Sequence, residues 1–136
     1  MKLETIEKLV AHQKIAFIAS VDDDGYPNLK AMLASRKRQG LKTFYFSTNT
    51  SSRHVDQYRK NPKAAIYFCD QRFTRGVMLK GEMTVLEDPK IKKEIWQIGD
   101  RIYYRKGVTD PDYCVLKFTA ESGRWYSGFK TADFKP

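Results

Sequence analysis

Short apolar runs of strand length, each closed within a few residues by a glycine, proline or acidic turn, leave this chain few folds to choose from. Lys14 to Val21 is one such run. Asp22-Asp23-Asp24-Gly25 follows it as an acidic, glycine-closed hairpin turn, and a second run returns from about Pro27 to Lys37. After Gln39-Gly40, Leu41 to Thr48 carries Phe44 and Phe46 on one face and Tyr45 on the other. Ala64 to Cys69 and Val77 to Leu86, joined by polar Asp70 to Gly76, read as two further strands, and Tyr113 to Phe118 and Arg124 to Phe129 close the chain about Ser122-Gly123. Helical spacing is confined to three places. Leu3, Ile6, Leu9 and Val10 predict a helix over roughly residues 2 to 13. Asn49-Thr50-Ser51-Ser52 precedes a short helix from Arg53 to Lys60 that Asn61-Pro62 ends, and Asp88-Pro89 starts a third with a continuous stripe of Ile91, Ile95, Ile98 and Ile102, weakened at Gly99. Strands linked by hairpins, without β–α alternation, predict a mainly β (α+β) antiparallel barrel of about six or seven strands with three peripheral helices.

The 136 residues suit a single domain over residues 1–136, and 41% hydrophobic residues suffice to fill its core. The mean hydropathy is −0.60, runs such as Ala16-Phe17-Ile18-Ala19 are too short to span a membrane, and Met1-Lys2-Leu3-Glu4 does not open a signal peptide. A cytoplasmic protein is therefore expected. The net charge of +9 suggests an anionic ligand or surface. Nucleic acid is disfavoured, because the basic residues are scattered, with Arg36-Lys37-Arg38 the one tight cluster, and no nucleic-acid motif is present. Cys69 and Cys114 lie far apart in apolar runs without CxxC spacing, which predicts buried, reduced thiols and neither a zinc site nor a redox dithiol.

Conventional catalytic sets are missing. His12 and His54 read as surface histidines without a nucleophile or carboxylate partner in sequence, and there is no HExxH, GxSxG, GxGxxG or P-loop. Any reactivity is then expected from a cofactor, with no metal site and no catalytic side chain assigned. The informative stretch is Pro27 to Pro62, where Lys30, Ser47, Thr48 and Thr50-Ser51-Ser52-Arg53 bring hydroxyls, two cations and a helix N-terminus into one part of the chain. Phosphate is bound by such donors. Plain helix capping by Ser51 and Ser52, with Lys30 and Arg53 solvated, accounts for the same residues equally well.

The run Gly25-Tyr26-Pro27-Asn28-Leu29-Lys30-Ala31-Met32, then Phe44-Tyr45-Phe46-Ser47-Thr48, Ser52-Arg53-His54 and Asn61-Pro62, resembles the flavin-binding half of the pyridoxamine 5'-phosphate oxidase family, especially its general stress protein branch. The resemblance implies a split β-barrel holding FMN at the interface of a homodimer. It matches Lys30 to the cation that meets the FMN phosphate, and Ala31, Met32 and Leu33 to the strand along the isoalloxazine. Ser47 and Thr48 match a hydroxyl pair, Ser52 and Arg53 match the phosphate-binding turn, and Ser51 beside them is a further cofactor-binding candidate. His54 replaces a second phosphate-binding lysine, so phosphate affinity is expected to be lower or to follow histidine protonation near a pKa of about 6.5. Gly76 stands where the oxidases have a flavin-contacting glutamine, leaving a backbone contact from Gly76 or Val77, and Trp125 is a candidate for the flavin edge. Ser35 occupies the place of a pyridoxal-phosphate-binding lysine, and Trp125-Tyr126-Ser127-Gly128-Phe129 lacks the arginine-x-histidine substrate motif. The resemblance thus implies an FMN-dependent oxidoreductase with an unidentified small substrate and electron donor, rather than a true pyridoxamine phosphate oxidase. A non-catalytic flavin-binding stress module, a basic anion- or nucleic-acid-binding barrel, and haem or deazaflavin in place of FMN are the alternatives.

Overall fold

The computed structural model describes residues 2–136, Phe73 by its backbone alone. Helix α1 (Leu3–His12) lays Ile6, Leu9 and Val10 on the sheet, as its apolar spacing requires. β1 (Ile15–Val21) turns Ala16, Ile18 and Ser20 inward and Ile15 and Phe17 outward. The acidic turn after it is built as its residues dictate: Asp22 Oδ1 accepts the Asp24 and Tyr26 N–H groups, and Gly25 takes the positive φ of 85° that closes the bend. β2 (Pro27–Leu33) then returns along β1, with Pro27 opposite Val21 and Leu33 opposite Ile15.

The remaining elements are β3 (Lys37–Gln39), β4 (Thr43–Asn49), α2 (Arg53–Lys60), β5 (Lys63–Asp70), β6 (Arg75–Leu86), α3 (Pro89–Ile95), β7 (Tyr113–Ser127) and β8 (Lys130–Phe134), with short 3-10 turns between some of them. All strand pairings are antiparallel, in the order β2-β1-β5-β6-β7-β4-β3, with β8 beside β7. The two ends of that order, β2 and β3, are consecutive in the chain. Ala34 N still donates to Lys14 O, next to β1, whereas Arg36 N already donates to Tyr45 O of β4. Ser35 alone separates these two bonds, so the chain passes directly from one sheet edge to the other and brings the two edges together. Inside it Phe44 packs against Phe68 and Phe118, with centroids 5.7 and 6.2 Å apart. Complete burial of each of these rings contributes about 1.5–3 kcal/mol of transfer free energy.

The barrel and its three peripheral helices match the expectation, with eight strands among the described residues. Four details differ. The run expected as one strand from Pro27 to Lys37 is broken at Ala34-Ser35-Arg36, because its two halves serve opposite sheet edges. The isoleucine stripe is not one helix: α3 ends at Ile95, and Trp96 turns to pack on Tyr113 at 5.1 Å and Tyr104 at 6.2 Å. A 3-10 turn, Ile98–Ile102, follows and leaves Ile98 and Ile102 in solvent. Ser122-Gly123 is not a turn, since both residues stay in the β6–β7 ladder opposite Lys80 and Leu79; the hairpin lies at Gly128, whose φ is 61°, and leads into β8. Gly123 is kept free of a side chain because the Phe134 ring of β8 lies over it, 2.3 Å from where a Cβ would stand. Fourth, both cysteines are free, with Cys114 buried, but Cys69 points to the outer face of β5 and is only half-buried. No helix among the described residues is long and apolar enough to cross a membrane.

Candidate functional site

Two adjoining hollows run along one side of the barrel and share Lys30 and Asn49. The first, about 450 Å³, lies between β2 and the start of α2 and is lined by Asn28, Lys30, Ser52, Arg53, His54 and Gln57, among others. The second, about 350 Å³, continues along Ala31, Met32 and Leu33 to Arg36, Tyr103 and Tyr104, with Ser47 and Thr48 beside it.

The first hollow exists because α2 is seated firmly on β1. Val55 and Tyr58 are buried, the Tyr58 hydroxyl donates to Ala19 O at 2.9 Å, and Ser20 donates to the Gln57 side chain. That seating points the first turn of α2 toward β2. Ser52 is its N-cap residue, yet its side chain makes no cap. The Ser52 hydroxyl lies instead 3.1 Å from His54 Nε2, which is also 2.8 Å from Thr48 Oγ1. Among the described residues the first-turn N–H groups of α2 thus have no capping side chain, at the end of the helix that favours anions. Lys30 and Arg53 are exposed on this hollow, and neither has a hydrogen bond or ion pair among the described residues. Unpartnered cations flanking an uncapped helix N-terminus make a receptor for an anion. Asp22, Asp23 and Asp56 line a further hollow on the other side of Arg53, where Asp23 and Asp56 both pair with Lys60.

His54 departs from the sequence reading. It is buried rather than on the surface, and burial, with Lys30 nearby, pulls its pKa down to about 4. At neutral pH it is an uncharged ring holding two hydroxyls, not a surrogate for a lysine. The titration near 6.5 expected of it belongs to a solvated histidine, and desolvation removes it.

Of the residues singled out in the sequence, Lys30, Ala31, Met32, Leu33, Ser47, Thr48, Ser52, Arg53 and His54 line the two hollows. Ser51 stands apart, its hydroxyl and N–H both donated to Asp112. Gly76, Val77 and Trp125 are not gathered there either. Val77 and Trp125 occupy inward positions of β6 and β7 and belong to the core, by the alternation that leaves Met78 and Tyr126 outside. Gly76 is covered by Tyr67, whose hydroxyl lies 1.9 Å from where a Cβ would stand. In the sheet, Ala31, Phe17, Tyr67 and Met78 stand in one row, so β6 is three strand spacings, roughly 14 Å, from β2. Sequence reasoning missed Asn28, Asn49, Gln57 and Arg36. Gln57 was detectable, being four residues beyond Arg53 and hence on the same helix face. Arg36 was not, because its place depends on a bidentate pair with Asp100 across 64 residues, at 2.9 and 2.7 Å.

Ser47 Oγ is buried beside the second hollow without a hydrogen-bond partner among the described residues. Its neighbour Tyr113 donates its own hydroxyl to Lys92 O at 2.8 Å. An unfilled donor at one end and two unpaired cations at the other fit a long, polar ligand with an anionic tail.

A crystal structure from Clostridium acetobutylicum, described as related to general stress protein 26 and of the pyridoxinephosphate oxidase family, superposes with a TM-score of 0.89 at 43% identity, covering 98% of this chain and 93% of that one. A heme binding protein from Mycobacterium smegmatis shares the fold at a TM-score of 0.78 and 14% identity, covering 98% of this chain and 57% of that one. A pyridoxine/pyridoxamine 5'-phosphate oxidase of Wolbachia pipientis wMel is 32% identical over 76 residues, 56% of this chain, and the chain matches only 34% of that relative's length. The family profile described as Pyridoxamine 5'-phosphate oxidase matches residues 3–126, nearly the whole chain, and on that extent of agreement this protein belongs to the pyridoxamine 5'-phosphate oxidase family.

Proposed function

We propose that the chain binds FMN in the two hollows and works as a flavin-dependent oxidoreductase on a small substrate. One observation carries the reading: Lys30 and Arg53, both unpaired, flank the uncapped N-terminus of α2. In this reading the two cations neutralise the phosphate, the first-turn N–H groups and Ser52 donate to its oxygens, and Asn49 lies at the junction toward the ring. Ala31, Met32 and Leu33 run along the ring, and Ser47 offers its unfilled hydroxyl. FMN, when bound, supplies a ring that accepts and returns two electrons. The protein's part is to bind and orient it, which is consistent with the lack of a conventional catalytic motif.

The working unit in this reading is a homodimer. Leu29 and Leu33 of β2 are 78% and 69% exposed, and Phe17 and Ile15 of β1 are 41% and 46% exposed on the same outward face. The register sets Ile15 beside Leu33 and Phe17 beside Ala31, so these side chains form one apolar patch next to the second hollow. Contiguous exposed apolar surface of this kind marks an interface. The occupant favoured by the family resemblance is a second copy of the chain.

A visible spectrum of freshly purified protein, with calorimetric FMN titration and native mass spectrometry, tests the reading. Flavin absorption, one FMN per chain and twice the chain mass are expected. No flavin bands and no heat on adding FMN would remove it, and a haem spectrum would replace it with another ligand. Tight FMN binding without turnover by NADH, NADPH or other donors would make the protein a flavin-binding module instead of an enzyme.

A further inference from the structure

We propose that Asp112 is the positioning residue for the anion-binding turn, setting how well the hollow between Lys30 and Arg53 accepts a phosphate monoester; this rests on the FMN reading above. Asp112 Oδ1 accepts the Thr50 hydroxyl and the Ser51 N–H, each at 2.9 Å, and Oδ2 accepts the Ser51 hydroxyl at 3.2 Å. Behind the side chain, Thr50 N donates to Asp112 O at 2.7 Å. Asp112 is anchored in turn, its N–H donating to Asp110 Oδ1 at 2.9 Å. The clasp joins two chain ends that the sheet has already brought together, since Asn49, the last residue of β4, lies opposite Tyr113, the first of β7.

Three donors from two successive residues converge on one carboxylate and fix the direction in which the chain enters α2. The next two residues, Ser52 and Arg53, are those that line the hollow. The Thr50 hydrogen bond holds the Asp112 carboxyl below the usual range, so it is ionised at neutral pH. This makes the expected sign distinctive. Charge repulsion alone says that removing a carboxylate near a phosphate site strengthens phosphate binding; a positioning role says that it weakens binding, because the turn loses its preorganisation.

The experiment titrates FMN and riboflavin, which lacks the phosphate, into the wild type, Asp112→Ala and Asp112→Asn, with a thermal melt of each. The wild type is expected to prefer FMN. Asp112→Ala is expected to lose about tenfold or more in FMN affinity while riboflavin affinity stays within about twofold. Asp112→Asn retains the acceptor for Thr50 and Ser51 N–H and is expected to fall between the two; it also carries the test should the alanine variant fail to melt cooperatively. FMN affinity that is unchanged or higher in these variants, or a loss shared equally by riboflavin, would overturn the proposal alone. A wild type that binds both ligands equally would overturn the phosphate reading beneath it as well.

Discussion

Acidification is expected to destabilise this protein through His54, and the size of the effect follows from its setting. In the folded chain the ring is buried against Thr48 and Ser52, with Lys30 nearby, and its pKa stands at about 4 against 6.5 for the free side chain. The folded pKa is the lower one, so between pH 4 and 6.5 the unfolded chain binds the extra proton. The stability that neutral His54 confers is complete above pH 6.5 and is lost as the pH falls toward 4. The shift corresponds to about 2 kcal/mol lost by pH 5 and about 3 kcal/mol by pH 4. The perturbation is His54→Gln, whose side-chain amide can meet the same two hydroxyls without titrating. Urea unfolding of both proteins at pH 7 and pH 5 gives the comparison. The carboxylates of Asp70, Asp100 and Asp112, also held below their ordinary pKa, lose stability on acidification too, but equally in both proteins, so the difference isolates the histidine. Wild-type stability is expected to fall between these pH values by about 2 kcal/mol more than that of the variant. Equal falls would refute the argument and mean that the ring is solvated or already charged.

Arg53→Ala is expected to weaken FMN binding by about 1.5–3 kcal/mol, the worth of a charge-assisted hydrogen bond, and calorimetry with an unaltered Kd would make Arg53 a bystander. Leu29→Glu places a charge in the apolar patch of β2 and is expected to shift sedimentation toward the monomer with little change in the melt of the single chain; an unchanged dimer would locate the interface elsewhere. Asp100→Ala strips Arg36 of its bidentate partner and the 3-10 turn of its cap at Gln97 N, with an expected loss of about 3 kcal/mol in denaturant unfolding, the low end for a broken buried pair because Arg36 keeps some solvent. Asp100→Asn, which retains one acceptor oxygen for Arg36 or Gln97 N, is expected to cost less than Asp100→Ala.

The hairpin at Asp22 to Gly25 was readable because its chemistry is local: a carboxylate within reach of its own backbone and a glycine for the positive φ. The short helix from Arg53 to Lys60 was readable for the same reason, with polar residues before it and Asn61-Pro62 after it. The isoleucine stripe misled because Ile98 and Ile102 keep helical spacing while Trp96, turned toward Tyr113 and Tyr104, and the Arg36–Asp100 pair hold that segment otherwise. Ser122-Gly123 misled in a similar way. A glycine in polar company reads as a turn, and only the Phe134 ring lying over it explains a glycine inside a strand.

Local pattern therefore determined the antiparallel strands, their main turns and the stretch of chain that gathers cations and hydroxyls, since each depends on residues a few positions apart. The tertiary structure alone decided which of those groups are free to bind. Ser51 looks like a ligand residue until Asp112, 61 positions away, is seen to take its donors; His54 looks like a solvated base until burial leaves it neutral. Lys30 and Arg53 become a pair only when β2 and α2 are packed against the same strand. Partnering, burial and charge state depend on distant neighbours, and these are supplied by the folded sheet rather than by spacing along the chain.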